Sequence, residues 1–168
     1  MYKRQNNDNL NRMRFWTVGA IAGRDMNVVM VSAPVIVVAL IAAFTTGPTL
    51  NLLNLGDDAA TSLGVHVGRS RIVGVILIAL LAGAATAAAG PIGFVGLVVP
   101  HVVRSITGPD YRWILPYSAL TGAVLVLVAD IVGRLIARPG EVEVGIVLAF
   151  VGAPFFIYLI SRNKVVEV

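Results

Sequence analysis

The sequence predicts an all-α, polytopic membrane bundle of about five spans, and three observations carry that prediction. Residues Ile72 to Val103 run for 32 positions without a Lys, Arg, Asp or Glu. A second uncharged run extends from Met26 to Gly56. A surface helix in water needs a polar face, whereas about 20 apolar residues cross the roughly 30 Å hydrocarbon layer of a bilayer. Composition agrees: 57% of residues are hydrophobic and 13% charged, against soluble norms of about 45–50% and about 25%.

The elements follow in order. Met26 to about Phe44 forms a first span, ended by Thr45-Thr46-Gly47-Pro48. A second begins after Arg71 and reaches about Ala89. As one helix the 32-residue run would be about 48 Å long, too long for one crossing. Gly90-Pro91-Ile92-Gly93 supplies the break, since proline removes a donor and glycine tolerates a turn. A short third segment covers about Phe94 to Ile106, with Pro100 inside it. Non-helical backbone at membrane depth must be covered by protein or a watery cavity, so Gly90 to Gly93 is expected to pack against other helices. The fourth span is about Ile114 to Ile136 and the fifth about Val144 to Ile160, with a kink expected at Gly152-Ala153-Pro154. Ala82 to Gly90 is a run of small residues, and Gly83, Ala87 and Gly90, with Pro91, Gly93 and Gly96 beyond, suit either close helix packing or the wall of a pathway.

Several functions lose support. With no cysteine there is no thiolate metal site, disulfide or thiol nucleophile. The formal charge of +4 sits mostly in short connecting loops, where it orients a membrane protein rather than binding nucleic acid. No apolar stretch follows the basic residues of Met1 to Arg14, so no signal peptide is read there. No glycine-rich phosphate loop of the P-loop type occurs. His101, with Arg104 on the same face, lacks the companions a metal needs. Glu141 and Glu143 follow the turn signal Pro139-Gly140 and have no partner for acid–base work. No catalytic residue, metal site or bound cofactor is expected.

Two polar elements stand out. Asp57 to Leu63 reads as a short helix, with Asp57 as N-cap, Asp58 in the first turn and Gly64 at the C-terminal cap. By itself the pattern fits a solvated loop helix as well as a coupling element. Asp130 and Arg134 are four apart near the end of the fourth span, in the favourable order for a helical ion pair. Such a pair either anchors the helix end or serves a partner.

Basic loops give an orientation. With the Asn54–Arg71 loop in the cytoplasm, Arg69, Arg71, Arg104, Arg112, Arg162 and Lys164 lie inside, against Arg24, Arg134 and Arg138 outside. Lys3, Arg4, Arg12 and Arg14 break that pattern, so either the orientation is inverted or residues 1–14 are a polar tail not native to the protein, ahead of a membrane domain at 15–168; the resemblance described next favours the second.

Three stretches together resemble one family. They are Leu55-Gly56-Asp57-Asp58-Ala59-Ala60-Thr61-Ser62-Leu63-Gly64-Val65, then Ala89-Gly90-Pro91-Ile92-Gly93-Phe94-Val95-Gly96-Leu97-Val98-Val99-Pro100-His101 with Gly108-Pro109-Asp110-Tyr111-Arg112, and Leu127-Val128-Ala129-Asp130-Ile131-Val132-Gly133-Arg134 with Glu141-Val142-Glu143-Val144-Gly145 and Gly152-Ala153-Pro154-Phe155-Phe156. From about Phe15 to Lys164 the chain resembles the FecCD family, permeases of ATP-binding-cassette (ABC) importers for iron–siderophore complexes, haem and cobalamin. The resemblance implies the C-terminal half of a ten-span type II permease in the cytoplasmic membrane. It implies separate ABC ATPase subunits that bind the ATP, an extracytoplasmic substrate-binding protein, a second permease subunit (identical or not) and membrane lipid as partners. It also implies that Leu55, Gly56, Asp57, Asp58, Ala59, Ala60, Leu63 and Gly64 form the ATPase-coupling loop, and that Arg134, assisted by Arg138, docks the binding protein. Two alternatives remain: a secondary transporter or channel, which would want an ionisable residue at mid-membrane, and a structural membrane subunit.

Overall fold

The computed structural model describes residues 25–137 and 142–163, together with 17, 19 and 21. Seven helices have both ends among them: α1 (Met26–Thr45), α2 (Gly47–Leu53), α3 (Asp57–Ser62), α4 (Val67–Ala89), α5 (Val95–Thr107), α6 (Tyr111–Ile136) and α7 (Val144–Asn163). Among the described residues no strand is present.

Helices α1, α4 and α6 are long and apolar enough to cross a bilayer, and α5 and Val144–Ile157 of α7 are shorter apolar helices. The 20 residues of α1 give about 30 Å at the α-helical rise, the thickness of the hydrocarbon layer. Helix α4 has no buried residue, and Ile78 on it is 67% exposed. An apolar helix exposed over most of its surface is unstable in water and at ease in lipid, where exposed leucine and isoleucine cost nothing.

The predicted elements recur with shifted ends. Helix α4 begins at Val67, so Arg69 and Arg71 lie in its first turns, and α6 begins at Tyr111 rather than Ile114. Helix α2 is a correction. The sequence reading ends the first span at Thr45-Thr46-Gly47-Pro48, yet the chain re-enters a helix there, because proline near a helix start sacrifices only a donor that is unpaired anyway.

Contacts divide the chain into two units. One comprises Asp25–Ala88 and Pro100–Thr121. Its buried side chains include Ala39, Ala60, Val103 and Ile114. A Cβ placed on Gly47 would lie 3.2 Å from the Arg112 Cα, so the start of α2 touches the backbone at the start of α6.

The other unit comprises Met1–Arg24, Ala89–Val99 and Gly122–Val168. Its core is Ala129, Val144 and Leu148, with Ile21, Ile92, Val95, Leu125, Val126 and Val147 packed around them. The break at Gly90-Pro91-Ile92-Gly93 is non-helical, as expected. Gly90 is buried and Ile92 joins the core, while Pro91 and Gly93 are exposed. Covering of the break is therefore partial within this chain.

Candidate functional site

The segment between α2 and α4 forms the first candidate. Gly56 precedes α3 at φ 102 and ψ 157, backbone that glycine alone adopts readily. Here the sequence expectation is corrected. Gly56 holds the N-cap position, Asp57 is the first helical residue, and no side chain caps the helix. Both Asp57 carboxylate oxygens instead accept from Arg71 Nη2, at 2.9 and 2.8 Å. Asp57 and Asp58 still occupy the first turn, where the helix dipole favours negative charge.

The other end closes as the sequence predicts. Gly64, at φ 86, follows the C-cap Leu63. The Gly64 N–H donates to the Thr61 carbonyl and the Val65 N–H to the Ala60 carbonyl, both at 3.0 Å. This pair of bonds is the Schellman closure, which satisfies carbonyls that a helix end otherwise leaves open. Ala60 is fully buried, while Leu55 and Leu63 are 64% and 59% exposed and Asp58 is also exposed. The result is a short helix pinned at both ends that presents two leucines and an acid outward.

A polar cluster absent from the sequence reading fixes α2 beside it. Asn51 Nδ2 donates to Asp110 Oδ1 at 2.6 Å, and Asn51 Oδ1 accepts the Tyr111 N–H at 2.8 Å. Asp110 Oδ1 also accepts the Arg112 N–H at 2.9 Å, capping α6. Asp110 lies in the loop ahead of α6. The Asn51 amide first and then the Arg112 N–H hold its carboxyl below the ordinary value of 3.8; burial opposes them, and the Arg112 charge adds the least. Gly47 and Asn51 are four apart on one face of α2, and Asp110 follows Gly108-Pro109. Those were the available signals, but neither names the other as partner.

In the other unit, Arg134 Nε donates to Asp130 Oδ2 at 2.9 Å. The Arg134 side chain is 48% exposed and that of Asp130 19%. Between them Gly133 is buried; a Cβ there would fall 2.6 Å from the Val142 carbonyl oxygen. That close approach fixes the end of α6 and leaves the guanidinium outward. Arg138 and Glu141 lie outside the described residues, and Glu143 accepts the Ile146 N–H at its carbonyl, ahead of α7.

The small residues separate in role. A Cβ on Gly83, Gly93 or Gly96 would meet nothing described within 4 Å. Ala87 lines a shallow groove with Ala88 and with Asn27, Val28, Val31 and Ser32 of α1. Close packing at Gly83 and Gly96 is therefore not made among the described residues of this chain. His101 and Arg104 are both exposed. Among the described residues no three His, Cys, Asp or Glu side chains gather as a metal site.

A family model described as the FecCD transport family matches residues 1–162; that range includes residues 1–14, set apart above as a polar tail. The chain is 44% identical over 150 residues to the Fe(3+)-citrate import system permease protein YfmD of Bacillus subtilis, covering 89% of this chain and 45% of that protein. It is 42% identical over 158 residues to the ferric enterobactin transport system permease protein FepD of Escherichia coli, covering 94% of this chain and 47% of that protein. It also resembles a solved structure of an inward-facing ABC transporter assigned to the metal-chelate type, with a TM-score of 0.83 and 29% identity over 91% of this chain and 49% of the other. The chain spans about half the length of the curated relatives it matches.

Proposed function

Because this chain belongs to the FecCD transport family, we propose that it is the C-terminal half of a permease that carries a metal chelate across the cytoplasmic membrane. Iron–siderophore complexes are the favoured cargo, with haem and cobalamin as further candidates. On this reading the chain is not an enzyme. ATP is bound and split on separate ABC ATPase subunits, an extracytoplasmic binding protein delivers the cargo, and a second permease subunit completes the conduit.

The observation that carries the proposal is the build of α3. A transporter driven from outside its own chain needs a stiff cytoplasmic protrusion, and a six-residue helix cannot hold its shape by propensity alone. Its Schellman closure, buried Ala60 and outward Leu55, Asp58 and Leu63 support a surface built to be gripped by the ATPase. Arg134 supports a docking surface for the binding protein, since a half-exposed guanidinium can engage a carboxylate on an incoming protein. ATP and loaded binding protein then shift the population between inward- and outward-open states by binding one better than the other.

Reconstitution decides it. Proteoliposomes holding the whole permease that contains this chain, the second permease subunit, the ATPase and the binding protein should accumulate radiolabelled ferric chelate only with ATP. Uptake driven by a proton or sodium gradient without the ATPase would overturn the proposal in favour of a secondary transporter. Failure of the assembled complex to take up any metal chelate would favour a structural role.

A further inference from the structure

Backbone hydrogen bonds run from α2 as far as Gly56 and start again from its carbonyl into α3. The Asn54 N–H donates to the Leu50 carbonyl, that of Leu55 to Leu52, that of Gly56 to Leu53, and that of Ala60 to Gly56, at 2.9–3.2 Å. A force on α3 therefore reaches α2 through a single shared residue, Gly56, rather than through a slack loop. What α2 touches next decides where the force goes.

Two positions on one face of α2, Gly47 and Asn51, meet the start of α6. Gly47 brings the two backbones together: a Cβ on it would sit 3.2 Å from the Arg112 Cα and 3.3 Å from the Arg112 nitrogen. Four residues on, the Asn51 side chain uses both ends of its amide, donating to Asp110 and accepting from Tyr111. Apart from Arg71 to Asp57, 14 residues apart, other side-chain bonds nearby are local, such as Thr61 to the Asp57 carbonyl and Ser105 to the Val102 carbonyl. Asp110 caps α6 through the Arg112 N–H without help from Asn51. Capping alone thus leaves the Asn51 bonds unexplained. Their effect is to tie two segments 59 residues apart in the chain.

We propose that the Asn51–Asp110 clasp makes Asn51 a positioning residue for coupling, binding α2 and α3 to the start of α6 so that they move as one body when the ATPase pulls on α3. It rests on the coupling role proposed for α3. Neither side chain touches cargo or nucleotide; the clasp acts by removing play from the linkage. Asparagine suits the position because it supplies a donor for the carboxylate and an acceptor for the N–H at once. Aspartate at position 51 keeps the acceptor but sets two carboxylates face to face, where one is expected to hold a proton only as the pH falls. Exchanging the two residues restores the pattern. The carboxylate then at position 51 would accept from the Tyr111 N–H and from the amide then at position 110, whose oxygen would still accept the Arg112 N–H.

The test uses the assembled transporter and the natural absence of cysteine from the chain. Spin labels at Ser62→Cys on α3 and Trp113→Cys on α6, both exposed, report the distance across the clasp without and with trapped ATP. The expected result is one unchanged distance in the otherwise native chain. In Asn51→Asp the distribution should broaden or shift with ATP at pH 7.5, narrow again towards pH 5, and be native in Asn51→Asp/Asp110→Asn. Uptake of ferric citrate or ferric enterobactin per ATP split should fall by about tenfold in the single variant, a loss equivalent to ~1.4 kcal/mol of coupling, and recover in the exchange. Asp110→Asn alone, which preserves each bond, should stay near native. A labelled pair that moves with ATP in the native chain overturns the clasp, as does an Asn51→Asp variant that moves no more than native. If the single variant fails to reach the membrane, an exchange that restores neither level nor distance overturns it too. A chain that binds no ATPase overturns the coupling reading itself, and the clasp with it.

Discussion

Phe94 and Gly152 touch so closely that a Cβ on the glycine would lie 2.5 Å from the Phe94 Cβ and 2.7 Å from its Cγ. Phe94 is held there at φ 65, in the left-handed region that side chains with a Cβ rarely adopt. It directly follows the Gly90–Gly93 break, so α7 braces the point at which the chain restarts as α5. Gly152→Ala should therefore cost about 1–3 kcal/mol by overpacking, read as a lower thermal unfolding midpoint in lipid nanodiscs. The penalty should shrink when Phe94→Gly is present, since the exchange removes the three nearest atoms, all of them in the Phe94 side chain. A Gly152→Ala chain as stable as native would refute the contact.

Ala60→Pro attacks α3 where it cannot adapt. The substitution deletes the 2.9 Å bond from Ala60 to the Gly56 carbonyl and forces a ring into a site with no exposed surface. Uptake by the assembled transporter should fall more than about tenfold, with the chain still in the membrane and ATP still hydrolysed. Native uptake per ATP would remove α3 from the coupling path.

Asp57→Asn separates partner contact from stability. The Asp57–Arg71 pair is exposed on both sides, 54% and 65%, and such pairs contribute roughly 0–1 kcal/mol. The melting temperature should barely change. An uptake loss beyond about fivefold would then have to come from the ATPase surface, and equal losses in stability and uptake would argue against that assignment.

Arg134→Glu should weaken capture of the binding protein by about tenfold at low salt, with the difference shrinking as ionic strength rises. Asp130→Asn frees the same guanidinium from its 2.9 Å partner and should leave capture equal or tighter. Surface plasmon resonance on nanodisc-held transporter measures both. Affinity unchanged by the charge reversal at every salt concentration would exclude Arg134 from docking.

The Asp110 cap should resist acid. Its carboxyl titrates below 3.8, so the charged form is favoured in the folded chain. The stability it contributes is fully present above 3.8 and is lost only as pH falls from there through the lowered folded value. Distances across Ser62 and Trp113 should stay constant from pH 7 down to about 4. Loosening near pH 5 in the native chain would contradict the lowered titration.

Legibility followed sequence separation. The spans could be read because an unbroken apolar run states its own solvent, and the C-terminal end of α3 because Gly64 closes a turn with Thr61 and Ala60 close beside it. The N-terminal end was misread. Asp57 looks like a cap, but Arg71, 14 residues away, takes both of its oxygens. Helix α2 escaped because Gly47-Pro48 reads equally well as a stop or a start. Asp130 and Arg134 lie four apart in the chain and were found as a pair.

Membership in its family, the length and lipid preference of its helices, and the local closure of α3 were all decided by residues close together in the chain. Hydrophobic run length and capping are neighbour properties, so they need no fold to be read. The Asn51–Asp110 clasp, the seating of Gly47 on Arg112 and the bracing of Phe94 by Gly152 were decided only in three dimensions. Each depends on where distant backbones meet, and no residue carries the address of a partner some 60 positions away.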